Sequence, residues 1–177
     1  GPAGLFLSLL LHRAGIDCVV LEGKSRDYLE SRVRAGVLEQ GTVDLMDELG
    51  AGARLHKEGM LDPLLDIRFN GGIIHIDLPA LTPGKIVTVY GQQEVVKDLI
   101  AARLSRGGAI LFEAEATHID GLEGNRPTIH FKHEGRDQTL ECDIVAGCDG
   151  FHGICRSAIP ETALEIYDRN LPFGWLG

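Results

Sequence analysis

An α/β fold with a parallel sheet, an antiparallel meander and a β insertion is predicted by three observations. A glycine turn at the very start, Gly1-Pro2-Ala3-Gly4, runs into an apolar segment and then a β-branched strand closed by Glu22. The hydrophobic pattern switches to a period of two around Asn70-Gly71, the strongest short hairpin signal. A later apolar run delivers Gly147-Cys148-Asp149-Gly150, placed where a parallel strand meets a ligand crevice. The opening reads as the back half of a Rossmann-like dinucleotide-binding turn, in which backbone N–H groups at a helix start face a pyrophosphate. An acidic residue about 20 positions past the glycines is placed to hydrogen-bond ribose hydroxyls. A strand normally precedes such a turn, so the fold is expected to be incomplete, with truncation at both ends.

Taken in order, Leu5, Phe6, Leu7, Leu9, Leu10, Leu11 and Ala14 predict a helix apolar nearly all round, stopped by Gly15. Residues 17–22 read as a buried parallel strand, residues 23–28 as a polar excursion, and residues 32–36 as a basic loop. Thr42 is the expected N-cap of a helix over residues 43–49, closed by Gly50. A hairpin is expected over residues 64–77 and a strand over 86–90. A helix follows, carrying Val95, Val96, Leu99, Ile100 and Leu104 on one side and ending at Gly107-Gly108. Short strands at 109–113, 116–122, 128–133 and 138–141 predict a meander. Residues 143–146 read as another buried strand and 164–168 as the beginning of one more. There is no internal repeat, low-complexity segment or linker, so no domain boundary is expected inside the chain.

Composition narrows the function classes. The 177 residues are 44% hydrophobic and 24% charged, ordinary for a globular protein with a real core. A formal charge of −9 argues against a general nucleic-acid surface, so an anionic ligand must be held by local donors. Cys18, Cys142, Cys148 and Cys155 lack zinc-site spacing and read as core or near-site thiols. The leucine-rich start is too short for a membrane span, and no signal peptide is visible, which makes a cytoplasmic location the default expectation.

Several residues are candidates for ligand chemistry, each with a plainer alternative. Glu22 suits a ribose, or is a solvated loop carboxylate. Arg32 and Arg34 alternate, so only one faces a site easily if the segment is extended. A charge-assisted hydrogen bond contributes roughly 1.5–3 kcal/mol against about 0.3–1 from a helix N-terminus, so one arginine on a pyrophosphate would dominate that attraction. Gln92 reads from its position as a helix-start residue that can also bridge to a ligand. Asp149, between glycines that permit close approach, is a cofactor contact or an Asp-Gly turn. His152 and Arg156 follow within two helical turns and suit an anionic second ligand, although a single histidine is more often structural. No nucleophile, base and orienter group together, and Ser157 has no glycine elbow, which disfavours hydrolase chemistry.

The combination of Gly1-Pro2-Ala3-Gly4, the run from Arg32 to Gly41, Val87-Thr88-Val89-Tyr90-Gly91-Gln92, Gly147-Cys148-Asp149-Gly150-Phe151-His152-Gly153 and Pro172-Phe173-Gly174-Trp175-Leu176-Gly177 resembles the 4-hydroxybenzoate 3-monooxygenase family, single-component FAD-dependent aromatic hydroxylases. The resemblance covers essentially the whole chain. It implies a partial FAD-binding domain over residues 1–177, with a substrate domain beginning near 164–177. It also implies that Gly1, Pro2, Ala3, Gly4 and Glu22 hold the ADP part of FAD, and that Arg32, Val33, Arg34, Ala35, Gly36 and Val37 line the flavin and pyrophosphate. Gln92 would add a polar contact, and Asp149 would lie near both FAD and the nicotinamide cofactor. Tyr28, His152 and Arg156 become candidates for the NADPH side. The implied reaction converts 4-hydroxybenzoate to 3,4-dihydroxybenzoate with NAD(P)H and oxygen through a flavin hydroperoxide, the protein's task being to bind, orient and exclude water.

The implied partners are a small aromatic acid and oxygen, without nucleic acid or membrane, in a homodimer of the full-length enzyme. Ala3 stands where relatives often carry a hydroxyl. Gly23 stands where NADPH-preferring relatives often carry arginine, so Lys24 substitutes or NADH is used. Substrate-contact residues fall beyond Gly177, no catalytic residue is assigned, and the chain alone is expected to be inactive. The competing readings are a hydroxylase of another aromatic acid, an NAD(P)-dependent dehydrogenase and a nucleotide-binding module without chemistry.

Overall fold

The computed structural model describes residues 1–174 of the chain. In order, its elements are α1 (Pro2–Arg13), β1 (Val19–Glu22), α2 (Arg26–Ser31), β2 (Val37–Leu38), α3 (Gln40–Glu48), α4 (Ala53–Glu58), β3 (Met60–Asp62), β4 (Leu64–Phe69), β5 (Gly72–Asp77), α5 (Leu78–Leu81), β6 (Val87–Val89), α6 (Gln92–Ser105), β7 (Ala109–Phe112), β8 (Glu115–Asp120), β9 (Thr128–His133) and β10 (Arg136–Glu141). A short 3-10 turn at Glu161–Ala163 follows.

The predicted α/β class is borne out. Strands β1 and β7 pair in parallel, with Val19 opposite Ala109 and Glu22 opposite Phe112. Strand β6 lies between β2 and β3, antiparallel to both. The β4–β5 hairpin turns through Asn70 and Gly71 at φ 48° and 75°, the left-handed pair that a two-residue loop requires. Strands β8, β9 and β10 form the meander. The main core sits among helices: Leu5 and Leu9 of α1 meet Val43 and Met46 of α3, Leu49, Leu55 of α4, and Val95, Val96, Leu99 and Ile100 of α6.

Several expectations are corrected. Residues 26–31 form α2 instead of a polar excursion, because Ser25 caps it by accepting the Tyr28 N–H at 3.2 Å and Arg26 pairs with Glu30 one turn on. Helix α3 starts at Gln40 with Glu39 at its cap, so Thr42 lies inside the first turn. The 109–113 strand leaves the predicted meander for β1, since periodicity carries no information about which partner a strand takes. Strand β1 is half-exposed instead of buried, because β7 covers one edge and no strand among the described residues covers the other. For the same reason 143–146 form no strand, with Ile144 84% exposed, and 164–168 form none either. Helix α1 buries only Leu5, Ser8 and Leu9, and Leu104 faces outward from α6. Among the described residues no helix is long and apolar enough to cross a membrane. Of the motif at 172–177, Trp175, Leu176 and Gly177 lie outside the described residues.

Candidate functional site

The start of α1, the end of β1 and the start of α6 converge on an open cleft of about 200 Å³. Gly1 is the N-cap of α1 and Pro2 its first residue, a position where the missing proline N–H costs nothing. No side chain caps this helix, and the Leu5 N–H returns to the Gly1 carbonyl at 3.3 Å. A Cβ on Gly1 would meet no atom within 4 Å, so the approach to this end is open. Glu22, at the end of β1, accepts from the Lys24 N–H at 3.0 Å. That bond holds the carboxylate at the cleft and leaves further acceptor capacity.

The opposite wall is the 32–36 segment, pinned to the 90–93 turn. Gly36 allows the contact: a Cβ there would overlap the Tyr90 carbonyl and come 2.7 Å from the Gln92 nitrogen. The Tyr90 N–H donates to Gly36 O at 3.0 Å, the Gln92 N–H to Arg34 O at 3.4 Å, and the Arg34 N–H to Gln93 Oε1 at 3.2 Å. Both Arg32 and Arg34 line the cleft, which corrects the expectation that only one could: Arg32 is extended, and residues two apart in an extended segment share a face. The Arg32 guanidinium lies 5.5 Å from the centroid of the Tyr28 ring, another lining residue. Lys24, Arg32 and Arg34 together with the α1 N-terminus outweigh the single carboxylate of Glu22, making this cleft a cationic spot on an acidic chain.

Beneath the 90–93 turn lies a buried polar support. Tyr90 Oη donates to Asp98 Oδ2 at 2.8 Å, and Arg54 Nη1 donates to Asp98 Oδ1 at 2.8 Å. Burial first, and then the bond to Asp98, push the Tyr90 phenol above its ordinary range. Glu94 is held below the usual carboxylate range by its bonds from Lys97 and then from Arg54.

Of the residues singled out in the sequence, Gly1, Pro2, Glu22, Tyr28, Arg32, Arg34 and Gln92 meet at the cleft. Val33 points to solvent at 81% exposure, and Ala35 and Val37 are exposed as well. Ala3 lies within α1 outside the lining, and Gly4 turns to Cys148, whose Cβ would be 3.3 Å from a Cβ at position 4. Gly36 acts through its backbone. Sequence reasoning missed Gln93, whose amide orients the Arg34 backbone; its signal was only a second glutamine beside Gln92 at the helix start.

Asp149 does not line the cleft. Its Oδ2 accepts the Cys155 N–H at 2.9 Å, and a Cβ on Gly153 would overlap its carboxyl, so the side chain is folded into its own turn. Burial opposes its ionisation most strongly, yet the backbone and thiol bonds from Cys155, with backbone N–H groups nearby, hold it below the usual carboxylate range. Burial and the Asp149 carboxylate push the Cys155 thiol up to about 11. His152 stands edge-on to Phe151 at 5.0 Å, and the Arg156 guanidinium lies 4.8 Å from the same ring centroid, forming an exposed group separate from the cleft lining.

The chain is 45% identical over 177 residues to p-hydroxybenzoate hydroxylase of Acinetobacter baylyi, covering all of the chain and 44% of that protein. It is 31% identical over 165 residues to Monooxygenase 1 of Arabidopsis thaliana, covering 87% of the chain and 37% of that protein. The chain therefore spans less than half the length of these curated relatives. Among solved structures, CabE, an aromatic hydroxylase from angucycline biosynthesis, superposes with a TM-score of 0.71 at 26% identity, over 89% of this chain and 31% of CabE. The model of the FAD binding domain matches residues 1–177, and the chain belongs to that FAD-binding family.

Proposed function

We propose that this chain is the FAD-binding part of a monooxygenase that hydroxylates 4-hydroxybenzoate to 3,4-dihydroxybenzoate with NADPH, or NADH, and oxygen. The observation that carries the reading is the convergence of an uncapped helix N-terminus, Glu22 and two arginines on one cleft. These residues fit a dinucleotide: a pyrophosphate needs N–H donors and cations, and a ribose needs a carboxylate. Gly1 and Pro2 leave room at the helix start, Glu22 accepts from the ribose, and Arg32, Arg34 and Gln92 hold the phosphate and flavin side. The substrate assignment is supported by the 45% identity to p-hydroxybenzoate hydroxylase.

Held by the α1 start, Glu22, Arg32, Arg34 and Gln92, FAD would supply the two-electron exchange with a reduced nicotinamide and the activation of dioxygen. The chain's own residues bind and orient. Gln93 fixes the Arg34 backbone, Gly36 lets that strap lie against the 90–93 turn, and Tyr90 with Asp98 and Arg54 keeps the turn from shifting. Tyr28, His152 and Arg156 are assigned to the nicotinamide side, and the intact enzyme is assigned as a homodimer.

The test is the intact gene product. A yellow protein with flavin absorbance, whose NADPH oxidation accelerates with 4-hydroxybenzoate and yields 3,4-dihydroxybenzoate, supports the proposal. A colourless protein that takes up no FAD overturns it, and a yellow one indifferent to 4-hydroxybenzoate overturns the substrate.

A further inference from the structure

We propose that His118, Asp120 and His130 form a surface site for a divalent transition-metal ion of the zinc class, on the meander and apart from the nucleotide cleft. The three donors come from two neighbouring strands. His118 pairs directly with His130, and Asp120 lies two residues along β8 from His118, on the same face. A bulge between Ala116 and His118 produces this placement: Ala116 is opposite Phe131, and one extra residue then brings His118 opposite His130. Without the bulge, position 118 would share the face of buried Phe131 and the two imidazoles would not meet.

The rings are stacked at 3.9 Å with 12° between their planes. Both Nε2 atoms face one oxygen, Asp120 Oδ2, at 2.9 Å from His130 and 3.6 Å from His118. The possible ligand atoms of the three residues lie within 4.8 Å of one another. Donors around one zinc ion at about 2.0–2.2 Å sit roughly 3–3.5 Å apart, so small side-chain rotations close the set. The side chains of His118 and Asp120 are exposed at 57% and 65%, which leaves them free to make those rotations.

Thr117 supplies a second, independent indication. Its hydroxyl donates to the His130 carbonyl at 3.1 Å, so its proton is committed. The 3.4 Å contact between Thr117 Oγ1 and His118 Nδ1 is then one in which the imidazole donates. With Nδ1 used in this way, Nε2 is the ring nitrogen of His118 left to face Asp120 Oδ2, and in the neutral imidazole its lone pair meets a carboxylate oxygen, two acceptors that a cation would bridge. Imidazole and carboxylate donors suit zinc, copper and nickel better than calcium or magnesium, and three protein ligands leave a position for water.

The test is titration of the full chain with zinc ion by calorimetry, with copper(II) spin resonance as the second readout. One ion per chain is expected, with nitrogen hyperfine coupling from the imidazoles. His118→Ala and His130→Ala should each weaken binding roughly tenfold or more, and Thr117→Val by a smaller factor, through the supporting shell. Binding unchanged in His118→Ala assigns the ion to the exposed pairs His75–Asp66 or His56–Asp47 and overturns the proposal, as does no zinc binding by the parent chain. Should His130→Ala disturb the meander, His118→Asn at its exposed position gives the same readout. FAD content, which the cleft governs, is expected to be equal in all variants, so failure here is distinguishable from failure of the flavin assignment.

Discussion

Gly36→Ala isolates the strap that carries Arg34. A methyl group at this position would overlap the Tyr90 carbonyl and sit 2.7 Å from the Gln92 nitrogen and 2.8 Å from the Tyr90 carbonyl carbon, all of them backbone. Backbone atoms cannot swing aside as a side-chain tip does, so the strap must lift. Overpacking of this kind costs typically 1–3 kcal/mol. Lifting also removes the 3.0 Å bond from the Tyr90 N–H to Gly36 O, worth about 0.5–1.5 kcal/mol. The sum is roughly 1.5–4.5 kcal/mol, which at about 2–4 °C per kcal/mol for a domain of this size lowers the melting temperature by roughly 3–18 °C. Because Arg34 moves with the strap, FAD affinity should fall as well. Urea unfolding and flavin fluorescence titration on the same samples measure both. A variant with the parent midpoint and the parent FAD affinity would refute the idea that close backbone approach at Gly36 builds the cleft wall.

Arg34→Ala in the intact enzyme should lower FAD retention, by about 1.5–3 kcal/mol if one charge-assisted bond to a phosphate is lost, read as flavin content after dialysis; unchanged content removes Arg34 from the site. Tyr90→Phe leaves a buried carboxylate of Asp98 with one donor fewer and should destabilise by about 1.5–3 kcal/mol in urea unfolding. With the Cys155 thiol raised from 9.0 to about 11, the folded chain binds more protons than the unfolded chain between those values, so this group makes stability fall as pH rises from 9 to 11. The thiolate fraction at pH 8 is about a hundredfold below that of an unperturbed thiol, so Cys155 should be slow to alkylate, as site-resolved mass spectrometry can follow. Asp149→Asn should speed it by removing the carboxylate that raises the thiol.

What could be read in the sequence was what local chemistry dictates. Asn70-Gly71 turns as its dipeptide demands, and Gly15, Gly50 and Gly107 end their helices at φ 72°, 66° and 73°. Helix α2 escaped notice because it has no buried residue; a Ser25 cap and an Arg26–Glu30 pair hold it, and neither leaves a hydrophobic period. Strand partners escaped for a different reason. The alternation in 109–113 fits an edge of the meander as well as it fits β1, and 143–146 is apolar enough for a buried strand while having no described neighbour to bond. At the site, residue type located Glu22, Arg32, Arg34 and Gln92, and the two-residue spacing of the arginines already put both on one face of an extended segment.

The cleft and the Asp149 turn are built on opposite principles, which bears on how each can respond to a ligand. The cleft wall is a strap joined to the 90–93 turn by backbone bonds at 3.0 and 3.4 Å and by the Gln93 side chain at 3.2 Å, and α6 is anchored through Asp98 to Tyr90 and Arg54. Its shape is therefore set before any ligand arrives, which limits the ordering cost of binding. The Asp149 carboxylate instead satisfies its own loop through the Cys155 N–H, and the loop meets α1 through the Gly4–Cys148 approach. For Asp149 to accept a bond from a cofactor hydroxyl through Oδ2, the Cys155 bond must be shared or given up, whereas Glu22 keeps acceptor capacity free. A ligand that engages both carboxylates should bind the Glu22 side first and reorganise the 149–155 turn second. A fluorophore placed near Phe151 would report that turn as a slower phase following flavin quenching, and a single common phase would refute the order.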